Sequence, residues 1–255
     1  MHVLVLSSST VNFEGPDGAP SLLALVATEL RATKPETEWS LSGELLFTTD
    51  SMASRAMRLL DRHQPDIVIL RPTGLSFLHD DVASRVRERW PYLYRVSLSV
   101  ARYLDRISGG RARDRSYGRR LLFGAPRWLA ARVVGVAPPV SAETCAAYTA
   151  DTIDRLAALE TFDLLCRIAV GNVDSNVPEP ERTRRVETYA ESIRVRCSER
   201  RIPFADNRDL LRAVEYDYAA DRIHPGSQVR ALEARALAAD ILQRMNHVTP
   251  AGSSV

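Results

Sequence analysis

The stretch His2-Val3-Leu4-Val5-Leu6-Ser7-Ser8-Ser9-Thr10 opens the chain with an unbroken apolar run capped by hydroxyl side chains. The run does not alternate. It therefore suits a strand buried on both faces, as central strands of a parallel sheet are. Asp66-Ile67-Val68-Ile69-Leu70 repeats the pattern, and Asp163 to Val170 reads as a fourth strand. Trp39 to Phe47 reads as a further strand. Ile202-Pro203-Phe204-Ala205 reads as a short one, placed at an edge because Pro203 cannot donate to a ladder.

Helical patterns fill the intervals. Pro20 can open a helix over about 20–32, with Leu22, Leu23, Leu25, Val26 and Leu30 apolar. A helix over 51–63 puts Met52, Ala56, Leu59 and Leu60 on one face. Arg71-Pro72-Thr73-Gly74 reads as a turn. Beyond it no strand is expected until residue 163. Helices are expected at 79–89 and about 92–107, then a Gly- and Arg-rich loop over 109–120 and an apolar piece over 121–136. Regular alternation resumes with helices at about 141–160, capped by Ser141, and at 181–200. A short helix near 207–214 and a last one at about 227–245 complete the chain.

Strands alternating with helices predict an α/β fold of three layers, α/β/α. The expected sheet is five-stranded, parallel, doubly wound and flavodoxin-like, with a helical insertion after strand three. The whole of 1–255 is expected to form one domain, with 77–140 as a basic helical insertion inside it. In such sheets ligands sit outside the carboxyl ends of the strands. The loops after strands one, three and four, and the loop before the last helix, are expected to meet on that rim.

That last loop reads Asp221-Arg222-Ile223-His224-Pro225. With Ser9 at the end of strand one, it supplies a hydroxyl nucleophile, an imidazole base and a carboxylate to orient the base. These are the parts of an acyl-transfer site. A Walker loop and a Gly-x-Gly-x-x-Gly fingerprint are both absent, so no nucleotide cofactor is expected. Cys145, Cys166 and Cys197 lack metal-ligand spacing and read as buried free thiols, so no metal is expected either.

The arrangement resembles the SGNH or GDSL hydrolases, a family of α/β/α serine esterases, lipases and acyl hydrolases. Val3 to Thr10 lies over the family's first block, with Ser7 and Ser8 at its Gly and Asp positions and Ser9 at its nucleophile. Asp221, His224 and Pro225 match its last block. The resemblance implies a Ser9–His224–Asp221 triad acting on an ester or thioester through an acyl-enzyme, without a cofactor. Alternatives on the same scaffold are an acyltransferase and a catalytically weakened ligand-binding pseudo-hydrolase. Two blocks depart from the family. Arg71 to Ser76 holds no Asn where Gly-x-Asn-Asp should stand, and no glycine lies near Thr48-Thr49-Asp50. Thr49, Thr73, Gly74 and Asn172 are the candidate replacements as oxyanion or substrate-binding donors, with Asn176 a further one.

Residues 77–140 do not fit the family. They carry 13 Arg against 5 Asp and Glu, a balance of +8 in a chain whose net charge is +2. Seven aromatic residues from Trp90 to Trp128 interleave with these arginines. An excursion beside a catalytic rim reads as a cap or lid, and its charge suits a small, anionic ester substrate. The aromatics would form the small core of that cap. A partner protein or a membrane surface is the alternative use of this segment. Nucleic acid is not the expected partner, since no nucleic-acid motif accompanies the charge. No apolar run is long enough to span a membrane, and Met1-His2 leads directly into a strand without a basic leader. The expected location is cytoplasmic.

Overall fold

Apolar runs become the centre of a sheet because they alone tolerate neighbours on every side. β1 (His2–Ser7) pairs in parallel with β2 (Ser40–Leu45) on one edge and β3 (Ile67–Arg71) on the other. β4 (Asp163–Ile168) follows β3, and β5 (Phe204–Asp206) closes the far edge. The order is β2-β1-β3-β4-β5, all parallel, which is the flavodoxin-like arrangement expected. The coordinates are a computed structural model that describes residues 1–7, 11–12, 14, 18–73, 75–80, 82–96, 99, 137–169, 177–211 and 225–248.

Side chains alternate across the sheet, and the two faces take different helices. Val3, Val5, Ile67, Ile69 and Leu165 pack with α1 (Leu22–Thr33) and with the last helix (Ser227–Val248), through Leu22, Val26, Leu30, Leu237 and Ile241. On the opposite face lie α2 (Met52–His63) and α5 (Ala142–Ala157), which pack on each other. α6 (Glu179–Glu199) joins them there: the Tyr189 hydroxyl meets that of Thr149 at 3.0 Å. Right-handed crossovers in this strand order require that division. All three cysteines are buried and free. Burial pushes the Cys145 thiol up to about 11.

Element ends differ from the sequence reading in explicable ways. α1 starts after Ser21, not at Pro20, because the Ser21 hydroxyl accepts from the Ala24 N–H at 3.3 Å and so caps the helix. β5 starts two residues later than expected. Pro203 stays outside it, and its carbonyl accepts from Cys166 N at 3.0 Å. β3 runs one residue further, taking in Arg71, which had read as the start of a turn.

The described chain divides into two compact units. The first holds the sheet and comprises Met1–Leu75, Ala142–Asp174 and Thr183–Val255. The second comprises Ser76–Ser141 and also takes in Ser175–Arg182, a stretch after β4 that the sequence had not associated with 77–140. α3 (Leu75–Leu78) leads into the second unit and α4 (Val82–Arg89) belongs to it. Helical turns resume over 91–96, and Val140 N–H donates to Ser76 O at 3.5 Å. The Arg89 guanidinium stands 5.2 Å from the Trp90 ring centroid. Trp90 and Tyr92 are exposed, so neither is core of a cap as the sequence had implied. The long expected helix to 107 and the loop 109–120 fall largely outside the described residues.

Candidate active site

At the carboxyl end of the sheet the apolar pattern stops on one face. Under α1 and the last helix the inward residues run Val3, Val5, Ser7 in β1, then Ile67, Ile69, Arg71 in β3 and Leu165, Arg167 in β4. Ser7 is 0% exposed, Arg71 2% and Arg167 5%. A guanidinium cannot discharge itself at any ordinary pH, so burial obliges each arginine to find a carboxylate.

The last helix, labelled α8 here, supplies both. Arg71 Nη2 donates to Glu233 Oε2 at 2.7 Å, and Arg71 Nη1 donates to Ser7 Oγ at 3.2 Å. Arg167 Nε and Nη2 donate to Asp240 Oδ2 at 2.8 and 2.5 Å. Asn207 opens α7 (Asn207–Leu211), directly after β5, and joins the two pairs. Its Nδ2 donates to Glu233 Oε1 at 2.6 Å, and its Oδ1 accepts from Arg167 Nη1 at 2.9 Å. One amide orientation satisfies both neighbours, so the partners fix it.

The loop after β1 is held at both sides of Ser8 to Thr10. Ser7 ends the strand. Val11 is buried, and Asn12 Nδ2 donates to Gly43 O at 2.9 Å. A Cβ on Gly43 would stand 2.6 Å from both Asn12 Oδ1 and Val11 Cγ1, so glycine there lets Val11 and Asn12 approach β2. The segment before α8 is held in turn. Pro225 and Gly226 are buried, and Arg230 Nη1 donates to Pro20 O at 3.1 Å.

Of the candidate site residues, Thr49 and Thr73 are described. Thr49 is exposed; its hydroxyl lies 3.1 Å from Ser51 Oγ, and its carbonyl accepts from Met52 N at 3.0 Å as α2 begins. The Thr73 carbonyl accepts from the buried Thr48 hydroxyl at 3.2 Å, which ties the loop after β3 to the loop after β2. Thr48 also meets Tyr189, whose hydroxyl is raised well above its ordinary value chiefly by burial and stays neutral. Ala169, just past β4, donates to Pro72 O at 3.2 Å. Ser9, Gly74, Asn172, Asn176, Asp221 and His224 lie outside the described residues. No group of three or more His, Cys, Asp or Glu among the described residues could hold a metal.

Sequence reasoning missed the Arg71, Arg167, Asn207, Glu233 and Asp240 set. A signal was present: each arginine falls in period two with apolar neighbours, at the position where the strand should point inward.

No family model and no curated protein sequence matches the chain. Solved structures do. TesA is 14% identical with a TM-score of 0.54, over 95% of this chain and 99% of that one. Axe2, an acetylxylan esterase from Geobacillus stearothermophilus, is 12% identical in one form with a TM-score of 0.55, over 94% and 93%. LAE5, an alpha/beta hydrolase enzyme from the metagenome of Lake Arreo, is 16% identical with a TM-score of 0.51, over 93% of each chain. At such identities the likeness is one of fold: this chain shares the three-layer α/β/α fold of these structures. The structures of Axe2 include catalytic mutants at a serine early in that chain and, much later, at an aspartate and a histidine three positions apart.

Proposed function

We propose that this protein is a serine hydrolase that cleaves the ester or thioester bond of a small substrate through an acyl-enzyme. The observation that carries the reading is a double coincidence. The fold is that of esterases, and this chain has an early serine, Ser9, and an Asp221-x-x-His224 pair late on. The catalytic mutants of Axe2 mark the same residue types with the same three-residue spacing of Asp and His.

In this reading Ser9 Oγ attacks the carbonyl carbon while His224 takes its proton. Asp221 holds the imidazole and stabilises its cation. Collapse of the tetrahedral intermediate expels the alcohol, which takes the proton back from His224. Water then repeats the sequence and releases the acid. An alcohol in place of water would make the same acyl-enzyme a transferase. Donors for the oxyanion are sought from Thr73, the Gly74 N–H and Asn172, with Thr49 the weakest because its hydroxyl already faces Ser51. No metal or organic cofactor enters the scheme.

The three serines can be told apart. Ser7 is fully buried and its Oγ accepts from Arg71, so it is not an accessible nucleophile. Incubation with a fluorophosphonate probe and peptide mass spectrometry should therefore find the adduct on Ser9. An adduct on Ser8 would move the assignment. No adduct at all would favour the ligand-binding pseudo-hydrolase, which the missing oxyanion Asn and Gly motivate.

The +8 balance of residues 77–140 favours an anionic ester over a neutral one, since clustered charge raises the local concentration of the opposite sign. Exposed charges are screened within about 8–10 Å at physiological ionic strength. Raising salt from about 0.01 to 0.5 M should then lower kcat/KM for an anionic ester several-fold and leave p-nitrophenyl acetate unchanged. Equal salt responses for the two esters would remove the anionic preference.

A further inference from the structure

We propose that Asn207 is a positioning residue, whose amide sets the nucleophile strand and the two flanks of the base-bearing loop in one register; this rests on the serine-hydrolase reading above. The two halves of the proposed chemistry come from opposite ends of the chain. Ser9 stands two residues beyond Ser7. Asp221 and His224 stand between α7, which ends at Leu211, and α8, which starts at Ser227. The elements that carry these residues converge on one buried cluster. Ser7 marks the end of β1, Arg71 the end of β3 and Arg167 the end of β4. Asn207 marks the start of α7, and Glu233 and Asp240 lie on α8.

Within that cluster the two ion pairs have separable jobs. Arg71 with Glu233 ties β3 and, through Ser7, β1 to α8 at 2.7 and 3.2 Å. Arg167 with Asp240 ties β4 to α8 about two turns further on. Both pairs reach α7 at Asn207, whose amide joins them at 2.6 and 2.9 Å while standing at the entrance to the segment that carries the base. Asn207 is 1% exposed, so no water competes for these bonds.

Apolar packing could hold the same elements together at similar or greater stability. What packing lacks is direction. Each bond here has a donor angle and a length, so the set defines where α7 and α8 sit along the ends of β1, β3 and β4. Such definition matters for a proton transfer between Ser9 and His224, where a misplacement of about 1 Å is worth about 10² in rate. The residue touches neither substrate nor the reacting atoms and acts through the flanks of the loop. Its partners also explain why Ser7 carries a hydroxyl where the resembled family has glycine: Arg71 needs an acceptor on β1.

The test compares Asn207→Ala and Asn207→Ser with Leu60→Ala, a core truncation in α2 on the opposite face of the sheet. Full-length proteins are assayed with p-nitrophenyl acetate, with fluorophosphonate labelling of Ser9, and for Tm. The expected result is a fall of about tenfold to 10² in kcat for the Asn207 variants, with KM within about twofold and the labelling rate falling by the same factor. Leu60→Ala should lower Tm by at least as much and keep kcat within about twofold. The positioning role is overturned if labelling and kcat of folded Asn207 variants stay near wild type. It is overturned too if Leu60→Ala loses kcat in the same proportion, or if neither Asn207 variant folds, since the residue is then structural alone. A wild-type protein that labels on no serine overturns the hydrolase reading and this proposal with it; a wild type that labels, with unchanged variants, overturns the positioning alone.

Discussion

His224→Ala is expected to remove nearly all ester turnover, a fall on the order of 10⁶ in kcat. Asp221→Asn is expected to leave about two orders of magnitude more activity than that, because orienting the imidazole is worth less than the base itself. The asymmetry follows from what each side chain does. Without the imidazole, no group at hand takes the Ser9 proton as the oxygen attacks. Without the carboxylate, the imidazole remains but loses its fixed tautomer and the charge that stabilises its cation. Ser9→Ala should match His224→Ala and not add to it, since the two act as one unit. The measurement is kcat on p-nitrophenyl acetate for the three single variants and for the Ser9→Ala/His224→Ala pair. A His224→Ala protein within tenfold of wild type would mean that the proton goes elsewhere. Fully additive losses in the double variant would mean that Ser9 and His224 serve separate processes.

The missing oxyanion groups bear on absolute rate and leave this pattern intact. Loss of one donor costs about 10²–10³ in rate, roughly 3–4 kcal/mol. A hydrolase lacking the family's Asn and Gly can therefore be slow and still show the full dependence on its base.

Much of the fold is readable along the chain, and the reason is physical. Val3 to Leu6 and Ile67 to Leu70 have no polar residue to face water, so only a doubly covered sheet accommodates them. The strand order then follows from the handedness of the crossovers. The buried polar cluster is a different case. Arg71 beside Pro72 looks like a turn, and Glu233 and Asp240 on a helix look like a solvated face. Their burial is possible because each has a partner far along the chain: Arg71 and Glu233 are 162 positions apart. Local pattern carries no information at that range. The site itself divides the same way. The proposed Ser9, Asp221 and His224 are read from residue type and from their place in the sequence, after an apolar run and before a helical pattern. The groups that hold their supporting elements, Asn207 above all, become recognisable once the elements are assembled. Ser21 and Pro203 are smaller instances. A cap is recognised by the N–H it accepts from, and an edge strand begins where ladder donors are available.

Glu233→Ala should destabilise the protein by about 3–5 kcal/mol, because it strands the Arg71 guanidinium in the interior. Arg71 and Glu233 are 2% and 4% exposed, so water cannot replace the lost carboxylate without opening the core. Arg71→Met should cost less. The carboxylate it leaves behind keeps the Asn207 amide as a donor. The double variant Arg71→Met/Glu233→Leu removes both charges and approximately conserves volume. It leaves the Asn207 Nδ2 without its acceptor, a cost of about 1–3 kcal/mol, yet it should be more stable than Glu233→Ala despite the second substitution. Urea unfolding of wild type, Arg71→Met, Glu233→Ala, Glu233→Leu and the double variant measures all of this, with the coupling energy of the Arg71→Met/Glu233→Leu cycle expected to exceed about 1.5 kcal/mol. Strictly additive losses, or a Glu233→Ala protein within about 1 kcal/mol of wild type, would show that Arg71 finds another carboxylate and that the cluster does not depend on this pair.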